Sequence, residues 1–144
     1  MKKVKGKLIL VDDEDFEKEL LIRSLQALEW DIAVEHFNNP EELLKYLKDT
    51  KETIFLIISD MDMPEMNGLE LKKAIDQDEE LKIKSIPFIF SSTSATKEEV
   101  FQAYQYGVQG YFEKPMRSEE MAEMLDRIIK YWIICRHPNK MAWM

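Results

Sequence analysis

Apolar positions along this chain change period in a way that separates strands from helices. Leu8-Ile9-Leu10-Val11 and Ile54-Phe55-Leu56-Ile57-Ile58 are continuous apolar runs, short and rich in β-branched residues. They predict strands buried on both faces of a parallel sheet. Ile86-Pro87-Phe88-Ile89-Phe90 predicts another strand, with Pro87 near its start where a missing donor is tolerated, and Gly110-Tyr111-Phe112-Glu113 a short last one. Ile32 and Val34 alternate with polar neighbours and His36 continues them, the pattern of a strand nearer a sheet edge.

Helical spacing fills the gaps. Phe16, Leu20, Leu21, Leu25 and Leu28 predict a helix from about Glu14 to Glu29. Asn39 followed by Pro40 and two glutamates is a helix start, with Asn39 as cap and Leu43, Leu44 and Leu47 on the buried face. Leu69, Leu71 and Ile75 mark a third helix running into the charged stretch around Asp76 to Lys84. Thr96-Lys97-Glu98-Glu99 has the capping-box pattern ahead of a face made by Val100, Ala103, Tyr104 and Gly107. Ser118, with Glu119 and Glu120, opens a last helix whose stripe is Met121, Met124, Leu125, Ile128, Ile129 and Trp132. Five strands alternating with five helices through short loops predict an α/β fold. It is a doubly wound five-stranded parallel sheet with helices on both faces, a three-layer α/β/α arrangement.

Composition narrows the classes. The 144 residues, 45% apolar and 33% charged, suit one domain, expected over residues 1–135 with a tail at 136–144. A formal net charge of −8 disfavours nucleic-acid and anionic-membrane partners, whose phosphates would be repelled. A single cysteine, Cys135, excludes an internal disulfide, and with only His36 and His137 beside it a zinc site is not expected. No run approaches the roughly 20 apolar residues of a membrane span, and the basic start leads into a run too short for a signal peptide. A cytoplasmic protein is expected, with Lys2, Lys3, Lys5 and Lys7 as a frayed, solvated start.

Both apolar runs end in acid. Val11 leads into Asp12-Asp13 and Ser59 into Asp60, which places three carboxylates at the carboxyl edge of the sheet, where open α/β sheets bind ligands. Clustered carboxylates repel one another, and an oxygen-coordinated divalent cation, Mg²⁺, is the simplest way to hold them ionised. Ser92 at the end of the fourth strand and Lys114-Pro115 at the end of the fifth join the same edge.

These signatures, in this order, make the chain similar to the receiver domain of two-component response regulators, the flavodoxin-like CheY-like family, from about Lys7 to Trp132. The resemblance implies strand order 2-1-3-4-5, of which CheY is itself a standard example. It implies that Asp60 accepts a phosphoryl group in a Mg²⁺-dependent reaction. Asp12 and Asp13 would hold the metal with Asp60 and the main-chain carbonyl of Asp62. Lys114 and Ser92 would assist the transfer, and Tyr111 would be the aromatic switch that follows Ser92 inward. The implied partners are a sensor histidine kinase or a histidine phosphotransfer protein, and a downstream protein whose identity the sequence does not carry. The implied chemistry is self-catalysed phosphoryl transfer and dephosphorylation within a signalling domain, not turnover of a substrate.

Asp62 and Thr93 depart from the common pattern and are expected to tune the lifetime of the phosphorylated state, while Met116 replaces the frequent Phe after Lys-Pro. Two other readings compete. Ile57-Ile58-Ser59-Asp60-Met61-Asp62 mimics the Asp-x-Asp signature of haloacid-dehalogenase-like phosphatases, although Pro64 stands where that family wants Thr or Val and the acidic pair comes early. A phosphorylation-independent pseudo-receiver is the other, against which the complete acceptor, metal and lysine positions weigh. Finally, Tyr131, Ile133, Ile134 and Cys135 make the last helix apolar nearly all round, and Met141, Trp143 and Met144 extend this into the tail. Such a helix needs burial on more than one side, and a homodimer through it is expected.

Overall fold

The computed structural model describes residues 2–138. Strands β1 (Lys2–Val11), β2 (Trp30–Phe37), β3 (Ile54–Ser59), β4 (Phe88–Ser92) and β5 (Gly110–Glu113) form one parallel sheet in the order β2-β1-β3-β4-β5. Helices α1 (Asp15–Ala27), α2 (Pro40–Asp49), α3 (Gly68–Gln77), α4 (Glu79–Ile83) and α5 (Lys97–Gln105) lie in the crossovers, and α6 (Ser118–Ile134) follows β5. The doubly wound architecture and its strand order are therefore those expected.

Two cores sandwich the sheet. On one face α1 and α6 bury Leu21, Leu25, Met121, Leu125 and Ile129 against Leu8, Leu10, Leu56 and Ile58. On the other, α2 to α5 bury Leu43, Leu47, Leu71, Leu81 and Ala103 against Ile9, Val11, Ile57, Phe88 and Phe90. All six residues of β3 are buried, because both of its faces meet helices; this is why the run reads as continuous rather than alternating. Each such aliphatic side chain contributes about 1.5–3 kcal/mol on burial.

Three local features differ from expectation. The lysine-rich start is not frayed: β1 begins at Lys2, and Lys2 and Lys3 pair with Trp30 and Asp31 before an irregularity that ends at Lys7. Gly6 makes that irregularity possible, since its φ is 98° and a Cβ there would stand 3.2 Å from the backbone nitrogen of Phe55. Lys7 is held by Glu35 at 2.6 Å and by the Tyr46 hydroxyl at 3.0 Å, and Lys2 lies 4.1 Å over the Trp30 ring. Second, the charged stretch after Ile75 is a separate short helix. Asp78 ends α3 and caps α4, accepting from the backbone N–H groups of Glu80 and Leu81, and only one leucine of α4, Leu81, is buried. Third, Phe16 is 57% exposed and Tyr104 half exposed, not part of the packed faces.

Beyond α6 the chain turns at Cys135 and returns to the domain. His137 is fully buried, stacked on Phe55 and set edge-on to Trp132, with a ring nitrogen bonded to the Phe55 carbonyl. Met141, Trp143 and Met144 lie outside the described residues. Among the described residues no helix is long and apolar enough to cross a membrane.

Candidate functional site

Strand register assembles the site. β1 and β3 align Leu10 with Ile58 and Val11 with Ser59, so the next residue on each strand, Asp12 and Asp60, emerges side by side, and the Asp60 N–H donates to the Val11 carbonyl at 2.9 Å. β4 and β5 align Ser92 with Glu113, and the Lys114 N–H donates to the Ser92 carbonyl at 2.8 Å. Asp12, Asp13, Asp60, Ser92 and Lys114 thus share the carboxyl edge of the sheet. Asp12, Asp13 and Asp60 each present a carboxylate oxygen within 4.8 Å of the others. Hard, anionic oxygen donors at this separation fit Mg²⁺ and not a soft metal. Asp12 and Asp60 are buried and Asp13 exposed, which leaves the cluster open on one side.

Lys114 is the cation facing these acids. Its Nζ lies 2.8 Å from Asp12 Oδ2, 3.4 Å from Glu17 Oε1 and 3.8 Å from Asp60 Oδ2. Burial pulls the ammonium toward its neutral form, but the bond to Asp12 and the charges of Asp12, Asp60 and Glu17 outweigh it and leave the pKa raised. Burial also pushes the Asp60 carboxyl above its ordinary range. Lys114 opposes this, the Asp12 charge adds to it, and the Ser92 hydroxyl and the Asp62 N–H pull it back. Asp60 is therefore a desolvated carboxylate beside a cation, with one backbone N–H, that of Asp62, 3.4 Å from its Oδ1.

Ser92 is fully buried, and its Oγ accepts a bond from the Ser94 N–H at 3.3 Å. Tyr111 is already turned inward: its ring packs on Phe90 and its hydroxyl donates to the Ser94 carbonyl at 2.6 Å. Burial, with the nearby charge of Glu99, pushes the phenol up to about 12. Glu99 secures the same loop from the other side, accepting from the hydroxyls of Ser94 at 2.6 Å and Thr96 at 2.9 Å. Thr93 and Asp62 are exposed beside this assembly. Gly68, at the start of α3, lies under the loop that begins at Asp60, where a Cβ would come within 2.3 Å of the Asp60 carbonyl oxygen and 2.4 Å of the Phe90 ring.

Two contributors escaped the sequence reading. Glu17 sits in the first turn of α1 beside Lys114, and burial raises its carboxyl pKa against the pull of the lysine. The signal was present in the spacing: Glu17, Leu21, Ser24 and Leu28 share one helical face, and Leu21 and Ser24 are buried. An acid heading that face takes the inward position, and Phe16, rotated by one residue, is left outside. His36 is a strand residue, as its alternation predicts, and its Nε2 also lies 2.7 Å from the Asp12 carbonyl oxygen.

Comparison with known proteins identifies the family. The family model for the response regulator receiver domain matches residues 8–126. Chemotaxis protein CheY1 of Helicobacter pylori is 34% identical over 125 residues, covering 85% of this chain and 96% of that protein. Chemotaxis protein CheY-3 of Vibrio cholerae is 33% identical over 128 residues, covering 86% and 92%. Among solved structures, Vibrio cholerae chemotaxis protein CheY4 superposes with a TM-score of 0.70 at 26% identity, covering 87% of this chain and 99% of that one. A response regulator in red light signaling of R. palustris superposes with a TM-score of 0.79 at 20% identity, covering 90% and 94%, a likeness of fold. The dehalogenase-like reading is thereby set aside. A receiver-family match over most of the chain, with CheY proteins aligned nearly end to end, places the chain in the response regulator receiver domain family and makes it a two-component response regulator.

Proposed function

We propose that Asp60 is the phosphoryl acceptor of this response regulator, loaded in a Mg²⁺-dependent reaction by a phosphohistidine of a sensor kinase or histidine phosphotransfer protein. The observation that carries this reading is the convergence of Asp12, Asp13, Asp60 and Lys114 on one sheet edge, with the Lys114 ammonium 3.8 Å from the Asp60 carboxylate. A carboxylate oxygen of Asp60 attacks phosphorus in line. The new P–O bond forms as the P–N bond of the phosphohistidine breaks, and the departing imidazole nitrogen takes a proton from solvent. Lys114 places a compact positive charge beside a phosphoryl oxygen, and the Ser92 hydroxyl donates to another. When bound by Asp12, Asp13, Asp60 and the Asp62 main-chain carbonyl, Mg²⁺ supplies further neutralisation of the equatorial oxygens.

The adduct exchanges one negative charge for about two. That change acts on the loop at residues 93–96, which ties Ser92, Tyr111 and Glu99 together, and shifts the population of its conformations. Because Tyr111 is inward here, phosphorylation on this reading fixes an arrangement the unmodified protein samples. Incubation with a small acyl phosphate and Mg²⁺, followed by intact-mass and site mapping, tests the acceptor assignment. Wild type gains one phosphoryl mass and Asp60→Asn does not; full labelling of the Asn variant would overturn it.

The family is one of signalling proteins and not of turnover enzymes, so output on this reading is made by protein contact in the cytoplasm. A second copy is one such contact: Tyr131 is 61% and Ile134 84% exposed on α6, while Trp132 packs inward. Sedimentation of wild type against a Tyr131→Ser, Ile134→Ser variant tests it, and a monomer at high concentration, phosphorylated or not, would reject the dimer.

A further inference from the structure

Lys114 is shared among three carboxylates at graded distances: Asp12 at 2.8 Å, Glu17 at 3.4 Å and Asp60 at 3.8 Å. The acceptor is the farthest of the three. Glu17 belongs neither to the acidic metal cluster nor to the acceptor loop, yet its side chain is only 12% exposed and that of Lys114 only 11%. A carboxylate so withdrawn from water is costly unless a cation faces it, and Lys114 is that cation. The lysine is a point charge on a flexible four-carbon stem, and it settles where the surrounding anions balance. In the unmodified protein Asp12 and Glu17 together draw it away from Asp60. A phosphoryl group on Asp60, with about two negative charges, reverses that balance.

We propose that Glu17 is a positioning residue that holds the Lys114 ammonium back from Asp60 in the unmodified protein and thereby restrains loading of the acceptor. This deepens the acceptor reading above and rests on it. The restraint acts on loading more than on decay. During loading an anionic donor is brought from water toward Glu17, and Lys114 must leave Glu17 to meet it. During hydrolysis the phosphoryl group is already in place beside Lys114 in both the starting state and the transition state, so the Glu17 charge changes little between them. Glu17 therefore sets the occupancy of the phosphorylated state through its rate of formation.

The experiment compares wild type, Glu17→Gln and Glu17→Asp. Loading by a small acyl phosphate with Mg²⁺ is followed by intact mass, decay is followed after the donor is removed, and the Lys114 side-chain resonance is recorded in the unmodified, Mg²⁺-free protein. Glu17→Gln keeps the shape and removes the charge; it should load about three- to tenfold faster and decay within about twofold of wild type. Its Lys114 resonance should shift, and Glu17→Asp, which retains the charge, should restore loading toward the wild-type rate. Loading of Glu17→Gln at the wild-type rate, an unshifted Lys114 resonance, or Glu17→Asp behaving like Glu17→Gln would each overturn the proposal while leaving the acceptor assignment standing. Failure of wild type to label on Asp60 would instead remove the acceptor reading and this proposal with it.

Discussion

Asp60 is a carboxyl that the fold withdraws from water. Its carboxyl is pushed above the ordinary range by burial and by the Asp12 charge, so ionising it opposes folding. In acid, below both the unfolded and the folded titration, the group is neutral in both states and makes no difference. As pH rises past the ordinary carboxyl value, about 3.9, the unfolded chain ionises first and the folded state loses ground. Asp60→Asn is therefore expected to be more stable than wild type near neutral pH, by ~1 kcal/mol. Urea denaturation across pH should show the advantage vanishing in acid and shrinking when Mg²⁺ is added. Thr93 is a residue of a different kind, exposed at the mouth of the site with no part in its bonds. On the steric reading it narrows the approach of water, so Thr93→Ala should hydrolyse the phosphorylated form faster; a slower or unchanged rate of mass loss would reject this. The convergence of Asp12, Asp13 and Asp60 was legible because they stand where apolar runs stop, and that of Lys114 because Lys114-Pro115 follows the short last strand. Glu17 was not, because an acid in the first turn of a helix ordinarily reads as solvated and favourable to the dipole.

Among the described residues four helices are secured by side-chain caps, and the sequence announced two of them. Asn39 accepts from Glu41 and Glu42 at the start of α2, and Thr96 and Glu99 exchange bonds across the start of α5, as their spacing predicted. The capping box of Asn67 and Glu70 does the same for α3 and fixes where Gly68 falls, directly beneath the Asp60 carbonyl. Here the absence of a side chain is structural. Gly68→Ala would press a methyl group on the Asp60 carbonyl and the Phe90 ring, neither of which can yield without moving the sheet edge. A loss of ~2–3 kcal/mol in urea denaturation is expected, together with weaker Mg²⁺ affinity by titration. What the pattern did not announce was α4, since one buried leucine among charged neighbours gives no periodicity. Nor did it announce the strand character of Lys2 and Lys3, which depends on Trp30 and Asp31 beside them, partners far away in sequence.

For the whole molecule, the return of the chain at His137 closes the end of the sheet opposite the acidic cluster: the ring bonds to the carbonyl of Phe55, near the start of β3, while the acids follow its last residue. That contact was invisible in the sequence, because a lone histidine beyond a helix end has no local pattern, and its burial against Phe55 and Trp132 depends on partners the chain brings together only on folding. The sheet itself is graded. β3 lies at its centre with every residue buried, whereas β5 has four residues, one neighbour and partly open side chains. In the currency of hydrogen exchange this is a clock with two rates. Amides of β3 should wait for global unfolding, while those of β5 are released by smaller openings. Deuterium uptake read by mass spectrometry should be fastest, among the strands, at Gly110–Glu113, and phosphorylation should slow it there first. On that expectation Tyr111 lies on the strand that opens most readily, and Lys114, 3.8 Å from Asp60, directly follows it, so a phosphoryl group on Asp60 would act on a segment that rearranges at little cost.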